Sequence, residues 1–302
     1  MRGFCWEGGP RVDAAAVAPL AAAGADWISQ TPFGFSPALE APEVILASGH
    51  RAFWGESDEG LAETARLARE RGIKTLLKPH LWVRGGAWVG GLEMKSEDDW
   101  RRWFASYESF IVHYATLAER EKMEAFAVGT ELPKVSLREQ EWRRVIARVR
   151  EVYRGPLTYC ANWQEADTVA FWDALDFVGV QAYFPLPTRD GAPLAQIRAA
   201  WDPIVEKLAA LASRTGRPIV FTEVGYKSEA GGLAQPWQWS NRGAVDLALQ
   251  RDAFQAMFDS VWDKPWFGGT FVWKWHPLLG APAAPPDRHA QTSHLKANQR
   301  SK

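Results

Sequence analysis

A chain of 302 residues with 47% hydrophobic and 24% charged side chains has the composition of a folded globular protein, which excludes a disordered chain. The formal net charge of −1 provides no basic field that would hold nucleic acid or an anionic membrane. No apolar run approaches the roughly 18 residues that a membrane span requires, so no such span is predicted.

Short apolar runs alternate with amphipathic helical patterns along most of the chain. The predicted strands are 3–6, 26–31, 74–78, 125–129, 157–161, 177–182, 219–222 and 269–273. The predicted helices are 57–71, 96–121, 137–153, 168–175, 194–215 and 244–262. Ser57 and Ser96 precede two of these helices as N-caps, and Gly72 ends the first of them.

Eight strands that alternate with helices, several of them apolar throughout, predict a parallel sheet buried on both faces. Closed on itself, this sheet forms a single-domain α/β structure, the (β/α)₈ TIM barrel. The alternative is an open, doubly wound sheet. That fold would carry a G-x-G-x-x-G turn after the first strand, but Gly8-Gly9-Pro10 stands there and the motif occurs nowhere. The barrel is therefore favoured.

The segment after the last strand fits the barrel pattern poorly. Prolines recur at positions 277, 282, 285 and 286, and a polar stretch follows them. We therefore expect the catalytic barrel to occupy residues 1–280, with a weak or atypical eighth helix, and a polar, proline-rich tail to occupy residues 281–302.

Neither a metal nor a cofactor is expected. Cys5 and Cys160 are far apart and match no metal-binding spacing, and the six histidines form no H-x-H or H-E-x-x-H motif. The first strand begins almost at the N-terminus, without a basic and apolar leader. This favours the cytoplasm, with secretion after removal of a leader as the alternative.

Polar and aromatic residues are concentrated at the predicted strand ends, where barrels of this class place their active sites. Glu131 and Glu223 end the fourth and the seventh strand, and glycoside hydrolysis requires two such carboxyl groups facing one bond. A single glutamate there is as well explained by a structural ion pair, but two among several aromatic residues favour catalysis. The other strand ends offer candidate sugar-binding residues, among them Trp6, Gln30 and Trp82.

Six segments in a fixed order carry a specific resemblance. They are Leu-Lys-Pro-His (77–80), Val-Gly-Thr-Glu-Leu (128–132), Leu-Thr-Tyr-Cys-Ala-Asn-Trp (157–163), residues 171–186, Val-Phe-Thr-Glu-Val-Gly-Tyr (220–226) and Trp-Phe-Gly-Gly-Thr-Phe-Val-Trp-Lys-Trp (266–275). With them the chain resembles glycoside hydrolase family 113 of the clan A retaining glycosidases, whose members are largely β-mannanases. The resemblance implies an endo-β-1,4-mannanase that works by double displacement, with Glu131 as acid/base and Glu223 as nucleophile.

The resemblance also implies roles for neighbouring residues. Tyr183 would orient the nucleophile, Trp273 would form the floor beneath the sugar at the cleaved bond, and His80, Asn162 and Trp163 would line the same subsite. Most of the clan has an asparagine before the acid/base that contacts the sugar 2-hydroxyl, whereas this chain has Thr130, as family 113 does; Asn162 is our candidate for that contact.

Tryptophan is frequent, and its positions divide into two groups. Trp237 and Trp239 lie in a loop rich in Gly, Pro and Gln, which favours an exposed platform for a distal sugar. The tryptophans in amphipathic patterns are expected to pack against the barrel wall, and they are Trp100, Trp103, Trp142, Trp172, Trp201 and Trp262.

The expected partner is a β-linked oligo- or polysaccharide, with neither nucleic acid nor membrane; partner proteins are not indicated. Two alternatives stay open. One is a retaining enzyme that acts on another β-glycan, or an exo-β-mannosidase. The other is a non-catalytic barrel that only contacts glycans.

Overall fold

The computed structural model describes residues 1–46, 53–188, 191–238 and 243–277. Its strands are β1 (Arg2–Trp6), β2 (Trp27–Gln30), β3 (Phe33–Ser36), β4 (Ile45–Leu46), β5 (Lys74–Leu77), β6 (His80–Val83), β7 (Ala125–Thr130), β8 (Leu157–Asn162), β9 (Val178–Gln181), β10 (Ile219–Val224) and β11 (Phe267–Trp275). Eight of them form a closed parallel barrel in the order β1-β11-β10-β9-β8-β7-β5-β2. The predicted (β/α)₈ fold is confirmed.

Helices connect most of the barrel strands on the outside. They are α1 (Ala14–Ala22), α2 (Asp58–Arg69), α3 (Glu97–Arg120), α4 (Glu139–Val152), α5 (Leu194–Ala199), α6 (Asp202–Thr215) and α7 (Leu247–Val261). The two predicted serine caps are present: the Ser57 hydroxyl accepts from the Gly60 amide at 3.1 Å, and the Ser96 hydroxyl accepts from the Asp99 amide at 3.1 Å. No helix within these ranges is long and apolar enough to cross a membrane.

The helix predictions differ from the structure at three places. The sequence pattern did not predict α1, which is rich in alanine and begins where the Asp13 carboxylate accepts from the Ala15 amide at 2.8 Å. The predicted helix 194–215 is two helices, because Pro203 has no N–H with which to continue the first. The predicted helix 168–175 was wrong. Only a short 3₁₀ turn, Trp172–Ala174, forms there, and burial of Phe171 and Trp172 accounts for the apolar pattern.

A small second sheet lies over the mouth of the barrel and was not predicted. It has the order β4-β3-β6 and is formed by the segments that follow β2 and β5. Phe33 pairs with His80 and Phe35 with Trp82 in parallel register. This sheet therefore places two predicted sugar-binding residues, His80 and Trp82, beside the carboxyl ends of the barrel strands.

The core consists of an interior and an outer layer. Inside the barrel, small and large side chains alternate, and Phe271 packs so closely on Gly3 that a β-carbon there would lie 2.4 Å from its ring. The outer layer is aromatic: Trp103 stacks on Tyr107 at 4.8 Å. The wall-packing prediction is confirmed by burial for five helix tryptophans, while Trp262 is 41% exposed. Four predictions lie outside the described residues: the tail, the domain boundary at residue 280, the region of the eighth helix and the position of Trp239.

Candidate active site

Glu131 directly follows β7, whose six residues are all buried. Its φ of +52° places it in the left-handed region, which few residues other than glycine adopt, and its amide donates to the Cys160 carbonyl at 2.9 Å. Such a conformation persists only where the surrounding structure imposes it, and it is common at functional sites. The backbone at Glu131 is therefore held in place by β8.

The Glu131 carboxyl group has a raised pKa. Burial raises the pKa of Glu131 to about 7, and the negative charge of Glu223 adds to the rise. Hydrogen bonds from Asn162 (Nδ2 to Oε1, 2.9 Å) and from the Trp88 indole oppose it. A carboxyl group with such a pKa can donate a proton and later accept one at the same pH.

Unlike Glu131, the carboxyl group of Glu223 on β10 has a lowered pKa, although the residue is only 5% exposed. Burial alone would raise the pKa of Glu223, but the Lys78 ammonium lowers it below its ordinary value. The Lys78 ammonium binds Oε1 directly, and the Tyr183 hydroxyl donates to Oε2 at 2.9 Å. Glu223 is therefore an ionised carboxylate held by two donors.

The contact between Lys78 and Glu223 crosses the barrel, because β5 and β10 are diametrically opposite in the strand order. Lys78 is fully buried, and its ammonium also donates to the Thr222 carbonyl at 3.1 Å. A buried lysine charge is tolerated only when it is paired, so the two residues stabilise each other's ionised form.

His80 is a neutral imidazole beside this ion pair. Burial lowers the pKa of His80 to about 3, and the positive charge of Lys78 acts in the same direction. Its Nε2 lies 3.5 Å from Oε1 of Glu223, and no group in the described part of the chain hydrogen-bonds that nitrogen. A buried polar atom without such a partner is unfavourable, and a hydrogen bond with a ligand hydroxyl group would relieve that cost.

Trp273 on β11 lies opposite β7 in the barrel order, so it faces Glu131 across the mouth. Two ammonium groups lie close to its ring, with Lys78 Nζ 5.7 Å and Lys274 Nζ 5.4 Å from the ring centroid. Lys274 in turn binds Glu7 at 2.5 Å, and the Glu7 carboxylate also contacts His276. A second group of charged residues therefore adjoins the predicted sugar-binding floor.

No cluster of three His, Cys, Asp or Glu residues that could hold a metal ion occurs in the ranges that the structure covers. The polar groups of the mouth are instead two carboxyl groups in different charge states, their hydrogen-bond donors and several aromatic rings. This set has the groups that proton transfer and nucleophilic attack on carbon require.

Comparison with known proteins identifies the family. The model of glycoside hydrolase family 113 matches residues 13–291. The chain belongs to that family. A family 113 β-mannanase from Alicyclobacillus acidocaldarius, solved in complex with ManMIm, is 32% identical with a TM-score of 0.81, over 97% of this chain and 90% of that one. A family 113 β-1,4-mannanase, solved as a complex, is 26% identical with a TM-score of 0.83, over the full length of both chains.

More distant structures share the fold alone. A family 5 mannosidase from Rhizomucor miehei has a TM-score of 0.62 at 11% identity, over 86% of this chain and 75% of that one. No curated protein sequence matches the chain significantly. The match to the family 113 model shows that this chain is a glycoside hydrolase, and the distant structures show that its barrel fold is shared more widely.

Two of the predicted sugar-binding residues of this chain face away from the mouth of the barrel. Trp6 is 2% exposed and packs with Val17 and Leu20 of α1. Gln30, its register partner on β2, is 1% exposed and donates to the Leu61 carbonyl of α2 at 3.1 Å. Side chains alternate between the two faces of a strand, and both residues lie on the outer face.

The remaining predicted site residues of this chain lie at the mouth of the barrel. Asn162 and Tyr183 contact the two glutamates directly. Trp163 and Trp237 form an aromatic pair with ring centroids 6.0 Å apart, and Trp237 is 40% exposed. Trp82 lies on β6 with its ring 6.4 Å from that of Phe33.

The sequence predicts no role at the two glutamates for three residues of the site: Lys78, Trp88 and Glu165. A lysine at the end of an otherwise apolar strand, as in Thr-Leu-Leu-Lys, was a signal for the first. Trp88 lies in a glycine-rich loop and is 53% exposed, so its contact with Glu131 depends on the path of the loop. Nothing in the local sequence indicates that Glu165 would be buried.

Proposed function

We propose that the chain is a retaining endo-β-1,4-mannanase in which Glu223 is the nucleophile and Glu131 the acid/base. The observation that carries the proposal is the difference in charge between the two carboxyl groups: Glu223 is ionised beside Lys78 and Tyr183, while Glu131 holds a proton near neutral pH. Retaining hydrolysis requires these two states at the start of the reaction. Two similar family 113 structures are those of β-mannanases, which supports the choice of substrate.

The first step forms a glycosyl-enzyme. The Glu223 carboxylate attacks the anomeric carbon, and Glu131 donates its proton to the leaving glycosidic oxygen. This step removes the negative charge of Glu223, which is one cause of the raised pKa of Glu131. The pKa of Glu131 therefore falls once the ester has formed, and its carboxylate can accept a proton from the water that releases the product.

The aromatic and polar residues of the mouth suit a sugar chain. Trp273 provides the floor at the cleaved bond, and the free Nε2 of His80 and the amide of Asn162 offer hydrogen bonds to ring hydroxyl groups. The Trp163–Trp237 pair follows β8 and β10 and lies on the side of Glu131 and Asn162, where the leaving part of the substrate would depart. Stacking there would bind a sugar beyond the cleaved bond and favour internal cleavage of a chain.

Incubation with mannohexaose, cellohexaose and xylohexaose, separately, followed by mass spectrometry tests the substrate class. We expect cleavage of mannohexaose into two- to four-sugar products, and proton NMR at early times should detect the β-anomer first. Glu223→Ala should abolish the products, while Glu206→Ala, an exposed glutamate on α6, should leave them unchanged.

Each other outcome has a defined meaning. Cleavage of another hexaose would retain the chemistry and overturn the mannan assignment. Release of single mannose units alone would indicate an exo-acting enzyme. Absence of any cleavage would contradict the proposal and favour a barrel that only contacts glycans.

The pH profile of kcat/KM is expected to be bell-shaped with an alkaline limb at about 7, because Glu131 must carry its proton to act as an acid. Activity should persist on the acidic side below the ordinary glutamate pKa of about 4.3, because Lys78 keeps Glu223 ionised there. Initial rates on mannohexaose between pH 3 and pH 10 give both limbs. An alkaline limb that appears only above about pH 9, where lysine begins to titrate, would contradict the role of Glu131.

A further inference from the structure

Glu165 is a buried carboxyl group close to the catalytic pair but outside it. It lies in the turn after β8 and is 3% exposed. The Tyr159 hydroxyl donates to its Oε1 at 2.6 Å, the Asn162 amide donates to its Oε2 at 3.0 Å, and the Ser136 side chain also hydrogen-bonds it. Its partners are thus side-chain hydroxyls and a backbone amide, and no lysine or arginine in the described part of the chain pairs with it.

Through Tyr159, Glu165 is connected to the backbone next to Glu131. Tyr159 is fully buried on β8, and its hydroxyl oxygen accepts the amide N–H of Leu132 at 2.8 Å. Leu132 immediately follows Glu131, the residue with the left-handed backbone. Tyr159 is fixed laterally by the ring of Trp142 at 5.2 Å, so its hydroxyl has little freedom to move.

Through Asn162, Glu165 is connected to the carboxyl group of Glu131 itself. Glu165 accepts the backbone N–H of Asn162, and the side-chain amide of Asn162 donates to Glu131 at 2.9 Å. The contacts therefore close a ring from Glu131 through Leu132, Tyr159, Glu165 and Asn162 back to Glu131. One buried carboxyl group therefore contacts groups that hold both the backbone and the side chain of Glu131.

We propose that Glu165 is a positioning residue, which holds Glu131 at the glycosidic oxygen through Tyr159 on one side and Asn162 on the other. The inference rests on the proposed function of Glu131. Proton transfer demands a donor within hydrogen-bond reach of its acceptor, and a displacement of 1 Å can cost about 10²-fold in rate. A glutamate in the left-handed region needs such support, because its relaxed conformation would direct the side chain elsewhere.

A purely structural role is the competing explanation, since Glu165 also ends a turn that begins at Asn162, in which the Glu165 amide donates to the Asn162 carbonyl at 2.9 Å. Dependence on the leaving group separates the two. A 2,4-dinitrophenolate departs without a proton, whereas a sugar alkoxide needs Glu131. A misplaced Glu131 therefore slows only cleavage of the bond to a sugar, while a damaged fold slows cleavage of both substrates.

The test compares Glu165→Gln and Tyr159→Phe with the wild type on mannohexaose and on 2,4-dinitrophenyl β-mannobioside. We expect kcat/KM for mannohexaose to fall about 10- to 100-fold, and kcat/KM for the dinitrophenyl substrate, which reports only formation of the glycosyl-enzyme, to fall less than about threefold. Because the two residues act in one ring, their effects should not add. The kcat/KM of the double variant for mannohexaose should lie within about threefold of that of the worse single variant. Gln164→Ala, an exposed neighbour, should match the wild type.

Equal losses on both substrates, or no loss on either, would overturn the proposal. Crystal structures of the two variants provide a readout that is independent of substrate. We expect Asn162 to leave Glu131 in Glu165→Gln, or the φ of Glu131 to change. Unmoved Glu131 and Asn162 would overturn the positioning role even if the substrate proved not to be mannan, whereas a wild type inactive on both substrates would contradict the proposed function instead.

Discussion

Replacement of Glu223 or Glu131 by alanine is expected to reduce kcat/KM for mannohexaose by at least about 10³-fold, a scale typical of the loss of a nucleophile or of an acid/base group. Glu223→Ala removes the atom that attacks the anomeric carbon. Glu131→Ala removes the proton that the leaving oxygen requires. Rates on mannohexaose alone therefore cannot distinguish the two roles, and a second measurement is needed.

Azide and a dinitrophenyl β-mannobioside assign the roles by stereochemistry. In Glu223→Ala, azide fills the space of the lost carboxylate and attacks from that face, which gives an α-mannosyl azide. In Glu131→Ala, Glu223 still forms the glycosyl-enzyme, and azide then enters from the opposite face to give the β-mannosyl azide. Proton NMR of the products distinguishes these anomers.

Other stereochemical outcomes would contradict this assignment of roles. The reverse assignment of anomers would mean that Glu131 is the nucleophile. Two α products would indicate an inverting enzyme, which has no covalent intermediate. Glu206→Ala with azide, as the matched control, should hydrolyse the substrate at the wild-type rate and form little azide adduct.

The fold could be predicted because its signal is repeated. Several barrel strands are apolar on both faces and most connecting helices have one charged face, so repeated weak patterns support one another. The features that were missed lack such repetition. The α1 helix has alanines rather than a clear apolar stripe, and the mouth sheet consists of strands of two to four residues whose pairing depends on distant segments.

The candidate site could be predicted in part. Glu131 and Glu223 stood out because a carboxylate is conspicuous at the end of an apolar strand. Trp6 and Gln30 are equally close to strand ends, yet they face the helices, because a shift of one residue moves a side chain to the other face of a sheet. Sequence patterns locate a strand end only to within about two residues, so they cannot decide the face.

Lys78 is expected to control the charge of the nucleophile, and Lys78→Met is therefore expected to shift the acid limb of kcat/KM upward. An opposite charge at contact distance lowers a carboxyl pKa by about 1–3 units, and the acid limb should move by that amount when the charge is lost. The buried carboxylate that remains has only Tyr183 and weaker donors, so the free energy of unfolding should fall by about 3–5 kcal/mol. Rate profiles from pH 3 to pH 8 and chemical denaturation measure the two effects.

The pH dependence of the free energy of unfolding gives an independent check of the direction in which the pKa values of Glu223 and Lys78 shift. The pKa of Glu223 is lowered in the folded state, so its contribution is present above its unfolded pKa and is lost as pH falls through the folded value. The pKa of Lys78 is raised, so its contribution is present below its unfolded pKa of about 10.4 and is lost only as pH rises through the folded value. The wild type should therefore exceed Lys78→Met in stability most strongly between about pH 5 and pH 9, and the difference should shrink in acid.

A double variant separates stability from catalysis. Lys78→Met combined with Glu223→Gln leaves neither charge buried, so most of the lost stability should return while the enzyme stays inactive. Lys74→Met, at the exposed start of the same strand, should change neither the acid limb nor the activity. If Lys78→Met kept the wild-type acid limb, the ionised state of Glu223 would have to arise from Tyr183 and the surrounding backbone, and Lys78 would only fill the barrel.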